Sequence, residues 1–416
     1  MSRTLTPKDC YALMNLLVKE ATGQDATIQA VDSSTFVSAG ETVLATGTEN
    51  TLNALSIVLG KTFMAVRPYE AKLKIVNALN SDLYNQRVRK ISFYAREAQA
   101  AGDWNTDINK ENLKNGIDNG AHGTTPNSSV GTMWEQNAPV PLEVNFGGQS
   151  VWDESTTIYE NQLKVAFANE AEFGAFVGGI MTEKGNDIES TKEAFNRMTL
   201  LNHIAGVYDM DAKMKGSVIN LTKEFNDEFG TSYTSEELRT VHLDEFLKFF
   251  VAKFKLTSDY LTNRSANFHY APSKPGYALL RHTPKSKQKA VLYSPLFTKA
   301  EAMVMPEIFN PQYLSLDNYE GVTYWQNFNE PAKIKVTPAI PGDNGTQTAG
   351  DEVALDYVVG MIFDTDAIMV DYQYEDSLAT PVEARKRYRN IFWHFSKNAI
   401  NDFTENAVIF IMKDED

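Results

Sequence analysis

The chain has 416 residues, 43% of them hydrophobic and 22% charged, and a formal net charge of -15 at pH 7. That length exceeds the roughly 250 to 300 residues that one core accommodates, so at least two packed regions are implied, and the composition excludes the disordered class. The acidic excess excludes chain-wide affinity for DNA, RNA or anionic membrane, and the single cysteine, Cys10, excludes an intrachain disulfide and a cysteine zinc cage.

MSRTLTPKDCYALMNLLVKEATG opens the chain with Lys8, Asp9 and Lys19 among its apolar positions and no small-residue cleavage site, so it is not expected to be a signal peptide. No window supplies the roughly 18 apolar residues that a membrane span needs, and a soluble protein made in the cytoplasm is expected. Thr6, Pro7 and Asp9 predict a helix start, with Leu13, Leu16 and Leu17 on one face up to Gly23. Residues 24 to 47, small and polar, predict an extended arm with few core positions, followed by a second helix from about Asn50 to Val66.

Ile91, Phe93 and Ala95 alternate with polar neighbours, as do Val140, Leu142, Val144 and Phe146; both runs predict one-sided strands. The intervening residues are rich in Gly, Asn and Asp and too long for an ordinary connection, which predicts a projecting two-stranded loop. From Asn169 to about Val207 apolar residues recur at helical spacing, with Asn169 and Glu172 as a cap pair, and predict one helix on the order of 60 Å long. A further amphipathic helix is predicted from about Leu243 to Leu261. Strands are predicted at Ala290 to Tyr293, Lys333 to Val336, Tyr357 to Phe363, Ala367 to Tyr372, Ile391 to Phe395 and Ala407 to Ile411, with a Gly and Pro loop at 338 to 352 interrupting one sheet. The class is α+β.

The chemistry-bearing residues form no recognisable site. His122, His203, His242, His269, His282 and His394 lack metal-ligand spacing, and His203 falls near the apolar face of the long helix, where a structural role is expected. No phosphate-binding glycine loop and no nucleophile elbow occurs. Asp364, Asp366, Asp371 and Asp376 miss the spacing of a calcium loop and read as a solvated strand edge. No catalytic, cofactor-binding or metal-binding residue is assigned, and no cofactor is expected. Trp134 and Trp152 flank a strand of the proposed loop, where large apolar groups gain most from a covering partner, and both are candidate inter-subunit contacts beside internal packing.

A polar arm, a projecting loop, a very long helix and a strand-rich C-terminal half together fit a shell subunit. EARKRYRNIFWHFSKNAINDFTENAVIFIM (383 to 412) and NEAEFGAFVGGIMTEKGNDIESTKEAFNRM (169 to 198) carry a resemblance to the major capsid proteins of tailed bacteriophages with the Hong Kong 97 capsid fold: respectively the C-terminal strands and the spine helix. The order of elements resembles the family over nearly the full length. The resemblance implies an N-terminal arm and helices over 1–70, an extended projecting loop over 71–158, a spine helix and peripheral region over 159–244, an axial region over 245–375 and C-terminal peripheral strands over 376–416. It also implies a protein that is no enzyme. Many copies, as pentamers and hexamers, would tile an icosahedral shell around a double-stranded DNA genome, lying close to that DNA without sequence recognition. A separate scaffolding protein, a portal and decoration proteins are the further partners implied, with no membrane, and the location is the virion after synthesis in a host bacterial cytoplasm. Some members weld subunits by a Lys to Asn bond, but no motif assigns Lys110 or Lys114 to Asn398 or Asn401.

Two other readings stand beside this one: an encapsulin-type nanocompartment shell protein, and an enzyme or carbohydrate-binding protein without a recognisable motif. RHTPKSKQKAVLYSP (281 to 295) concentrates Arg281, Lys285, Lys287 and Lys289, yet without interleaved aromatics it is a weak nucleic-acid signal. It reads as the charged, extended approach to a buried strand, where lysines also discourage edge pairing.

Overall fold

The computed structural model describes residues 6–23, 29–63, 73, 76–79, 87–95, 139–148, 150–274, 277–303, 319–342 and 346–414. Helix α1 (Pro7–Thr22) starts where expected, on a reciprocal capping box between Thr6 and Asp9, and ends at Gly23, whose φ of 70° places it in the left-handed region that glycine enters without strain. The extended arm expected over 24 to 47 is corrected: Ser33–Ala45 form helix α2, capped by Asp32, whose carboxylate accepts from the Thr35 N–H at 2.8 Å. Its buried face is Phe36, Ala39 and Val43. Gly40 lies close enough to Phe167 that an added Cβ would stand 3.2 Å away. Helix α3 (Thr48–Phe63) completes the N-terminal group.

Strand β1 (Asn77–Leu79) is followed by β2 (Arg87–Phe93) and β3 (Pro141–Gly147), which pair antiparallel from Arg87 opposite Gly147 to Phe93 opposite Pro141. Strand β4 (Ser150–Tyr159) and helix α4 (Glu160–Ala166) lead into α5 (Glu170–Asp209), a continuous helix of 40 residues and so about 60 Å. Asn169 caps it as expected, accepting from the Glu172 N–H at 2.8 Å.

Beyond α5 come β5 (Val218–Asn220), α6 (Leu221–Phe229), α7 (Ser235–Thr240) and α8 (Leu243–Thr262). Next are β6 (Gln288–Tyr293), α9 (Ser294–Met303), β7 (Tyr319–Val322), β8 (Ile334–Val336), β9 (Ala339–Pro341), β10 (Gln347–Ala349) and β11 (Val353–Leu355). The chain closes with β12 (Val358–Asp364), β13 (Ile368–Ala379), β14 (Tyr388–Asn401) and β15 (Ala407–Ile411). The loop expected at 338 to 352 is in part a small hairpin of β9 and β10.

Two larger sheets, in the orders β1-β13-β14-β4 and β5-β15-β12-β6-β7, organise most of these strands, beside the two-stranded pairs β2-β3, β8-β11 and β9-β10. Each larger sheet backs its own core, and β13 of the first sheet also lends Ile368 and Val370 to the second. In the first, Ile391, Trp393 and Phe395 of β14 point to one side, as the period of two requires, and meet α1 to α3 and the N-terminal half of α5. In the second, β12 and β15 are buried along their whole length, the pattern of strands covered on both faces. The C-terminal half of α5 and helix α8 belong to this core. Phe250 stands edge-on to Phe410 at 5.7 Å and tilts against Phe297 at 5.6 Å, geometries that aromatic quadrupoles favour. One helix therefore ties the two cores together. No helix among the described residues is long and apolar enough to cross a membrane.

Candidate functional site

The β2–β3 hairpin carries the least expected feature of the surface. Directly opposed residues share a face, so Val88, Lys90 and Ser92 lie with Phe146, Val144 and Leu142, while Ile91 and Phe93 lie with Glu143 and Pro141. The apolar alternation at Ile91 and Phe93 faces solvent, with 52% and 60% exposure, while Ser92 is buried. Arg89 and Glu143 form an ion pair of 2.7 Å at the edge of this outer face. The result is an apolar centre with a charged rim, the anatomy of a surface that another chain covers.

The inner face of the hairpin mixes Val88, Leu142, Val144 and Phe146 with Lys90 and Ser92, and Lys90 ties it to the body by charge. The Lys90 ammonium donates to the carboxylates of Asp402 and Glu405 in the turn between β14 and β15. Asp402 is 1% exposed. Arg281 extends the cluster: its Nε donates to the Thr404 carbonyl at 2.9 Å, its Nη2 to Ser92 Oγ at 2.8 Å, and its guanidinium lies 3.5 Å from Glu405. Burial works against the Lys90 charge, but Asp402 and Glu405 outweigh it and hold the ammonium above its ordinary range. Burial also pushes the Glu405 carboxyl up, with Lys90 and Arg281 pulling it partly back. The hairpin is thus fixed to the body by an ion cluster, and Ile91 and Phe93 of its other face are turned outward.

Between the hairpin and the body runs a cleft of about 1340 Å³, walled by Leu142, Val144 and Phe146 on one side and by Arg197, Met198 and Asn202 of α5 on the other. The described residues lining it include no histidine or cysteine. Among the described residues no group of three His, Cys, Asp or Glu could hold a metal ion. The arrangement positions a hairpin.

Behind this cluster His203 of α5 is fully buried and stacks face to face on Phe403, with ring centres 4.6 Å apart and planes within 4°. Gly206 makes room for that ring, since a Cβ there would stand 2.5 Å from it. Neither His203 nitrogen makes a well-formed hydrogen bond among the described residues. Burial takes the imidazole down to about 4, against a smaller upward pull from the Asp402 charge and Asn401. The unfolded chain protonates His203 near pH 6.5, so stability present above that pH is lost as pH falls toward 4, by about 3 kcal/mol from this group. In urea titrations at pH 7.5 and pH 4.5, His203→Leu is expected to be less sensitive to acid than the wild type by that order; equal pH slopes would assign the acid loss to other groups.

Trp152 lies in β4, stacked on Phe395 of the neighbouring strand at 4.6 Å and 20°, with the Lys397 ammonium 5.7 Å from its ring centre. It is half-buried and its indole N–H has no hydrogen-bond partner among the described residues. Trp134, Lys110 and Lys114 fall outside the described residues, while Asn398 is buried in β14. The basic stretch is corrected in one respect: Lys285–Lys287 form a 3-10 turn, not an extended run. Lys285 pairs with Asp259 at 2.6 Å and Lys287 approaches Asp366 at 3.9 Å, so these charges are answered within the chain. Asp364 likewise accepts from the Thr283 hydroxyl at 2.7 Å, a structural role inside the second core. Sequence reasoning missed Lys90, Asp402 and Glu405; the only local signal was a lysine on the polar side of an alternating strand.

A family model described as Phi29-like phage major capsid protein matches residues 121–411. Among curated proteins none matches the chain. Among solved structures, the capsid of Staphylococcus phage Andhra is similar at 11% identity, covering 83% of this chain and 84% of that chain, with a TM-score of 0.48. The capsid of the cyanophage P-SCSP1u is similar at 8% identity, with coverage of 82% and 87% and a TM-score of 0.42. The mature capsid of bacteriophage PhiM1 is similar at 8% identity, with coverage of 84% and 88% and a TM-score of 0.39.

Proposed function

Because the chain belongs to the Phi29-like phage major capsid protein family, we propose that the outer face of its hairpin is a contact through which the shell is knitted together. As a major capsid protein of a tailed bacteriophage it forms the icosahedral shell of the virion, in many copies, and its role is structural, not catalytic. The observation that carries the proposal is the exposure of Ile91 and Phe93 on a hairpin pinned by Lys90. Covering such side chains removes apolar area from water at about 25 cal/mol per Å², and every copy repeats the gain.

In this reading the core around α1 to α3 and the first sheet is the peripheral region, drawing on residues 1–70, 159–244 and 376–416, except that β15 and the C-terminal half of α5 pack in the second core. Residues 71–158 form the projecting loop and 245–375 the axial region, arranged as in the Hong Kong 97 fold. Pentamers and hexamers build the shell, and Trp134 and Trp152 are further candidate contacts between copies. A separate scaffolding protein, a portal and decoration proteins are the partners proposed for assembly. The acidic excess of the chain suits a wall that confines double-stranded DNA without adhering to it. Electron microscopy of the chain co-expressed with its neighbouring head genes tests the reading: closed particles are expected, and a monodisperse monomer under all conditions would contradict it.

A further inference from the structure

The ion cluster beneath the hairpin holds more than an anchor requires. The Lys90 ammonium donates to Asp402 and to Glu405, and the three side chains are 22%, 1% and 12% exposed. Both acids stand on one short turn, where the Glu405 N–H donates to the Asp402 carbonyl at 3.3 Å. The Asp402 carboxylate is clamped by that turn: its Oδ1 accepts from the Thr404 N–H at 2.9 Å and from the Thr404 hydroxyl at 2.7 Å, while its Oδ2 faces Lys90. An amine, an immobilised carboxyl group and a second acid touching the same amine are thus assembled from strands 312 residues apart.

These are the parts of an amide-forming site. Two donors on one carboxyl oxygen stabilise the negative charge that builds there when a nucleophile attacks the carbon. An amine held against that carboxyl group reacts intramolecularly, with the entropy of encounter already lost on folding. Burial pushes the Glu405 carboxyl up, which fits it to take up a proton and return it. Burial also sets the direction of the reaction. Charges are costly to keep away from water and an amide carries none, so a pair that water would keep as ions gains by condensing where water is scarce.

We propose that Lys90 and Asp402 condense to an isopeptide bond within one chain, with Glu405 as the proton carrier. Glu405 takes a proton from the ammonium, and the neutral Lys90 Nζ attacks Asp402 Cγ. The Cγ–N bond forms and the Cγ–Oδ2 bond breaks. Two of the three ammonium protons leave with Oδ2 as water, the third stays on the amide nitrogen, and Glu405 ends as the carboxylate it began as. Arg281, 3.5 Å from Glu405, then answers that charge, so the product holds one acid and one base where the cluster held two of each. Burial works against the Lys90 charge, but Asp402 and Glu405 outweigh it and keep the amine protonated, which makes the step slow. A freshly folded chain carries the ions; an aged one carries the bond. The bond makes the hairpin anchor permanent inside each subunit and adds no link between copies.

Intact-mass spectrometry of the purified, folded chain, followed as it ages near neutral pH, tests this independently of whether shells form. The wild type is expected to become lighter by one water, and proteolysis should release a branched peptide joining Lys90 to Asp402, while the denatured chain still runs as a single copy on a gel. The same chain held in urea should keep its full mass. Lys90→Arg keeps the charge but presents a guanidinium in place of the amine, and should also keep its full mass. Glu405→Gln should form the bond roughly a hundredfold more slowly, the scale of losing a general acid and base, with thermal unfolding confirming that it is folded. Asp402→Asn should yield the same branched peptide with ammonia lost in place of water. An aged wild type at full mass with no branched peptide would overturn the proposal. Loss of water from Lys90→Arg as well, without a branched peptide in the wild type, would overturn it in favour of ring closure at another aspartate. An equal rate in folded Glu405→Gln would overturn the role of Glu405, and if that variant does not fold, the wild-type and Lys90→Arg masses decide.

Discussion

Lys90→Met lowers the unfolding free energy of the subunit by about 3 kcal/mol or more, the usual cost of removing one partner from a buried ion cluster. Methionine keeps most of the stem, so packing changes little. What is lost is the charge that allows Asp402, 1% exposed, and Glu405 to sit side by side. Arg281, 3.5 Å from Glu405, softens the loss without reaching the position of Lys90. Lys90→Arg keeps the charge and should cost much less. Urea denaturation of the purified subunit measures the change, and hydrogen exchange at the β2 amides shows whether the hairpin base loosens with it. A change below about 0.5 kcal/mol would mean that the cluster behaves as a solvated surface pair.

Ile91→Ser/Phe93→Ser has the opposite profile: the subunit keeps its stability to within about 0.5 kcal/mol, while shells fail to form. Both side chains are mostly in solvent in the single chain, so their loss opens no cavity. Fully burying a large apolar side chain is worth roughly 1.5 to 3 kcal/mol, and a shell multiplies that gain over every copy. Size-exclusion chromatography of the variant should show free subunits or small oligomers with wild-type thermal unfolding. Normal shells from the double variant would remove the hairpin face from the account, and a large drop in subunit stability would show that it serves the fold.

The long helix was legible because its signal is both periodic and long: from Phe173 to Ile204 the apolar spacing holds, and Asn169 announces the start. The strands of the second core were legible for a related reason, since β12 and β15 are buried throughout and read as apolar runs. Helix α2 was not, because its inner face mixes Phe36 and Val43 with Ala39 and Gly40, and its close packing depends on smallness that composition scores as polar loop. The hairpin shows a deeper limit. Alternation at Ile91 and Phe93 announces that the two faces differ but not which one meets the body, and here distant charge decides, since the partners of Lys90 lie 312 and 315 residues away. Trp152 teaches the same lesson, because its neighbour Phe395 comes from another strand altogether. The basic stretch at 285 to 289 was legible as a solvated approach to a strand, but not its ion-pair partners Asp259 and Asp366, which come from distant parts of the chain.

A cryo-electron microscopy map of the assembled shell tests the central claim most directly. The account predicts a closed shell in which the side chains of Ile91 and Phe93 are covered by a neighbouring copy while Lys90 remains on Asp402 and Glu405 of its own chain; a shell in which both apolar side chains face solvent would contradict it.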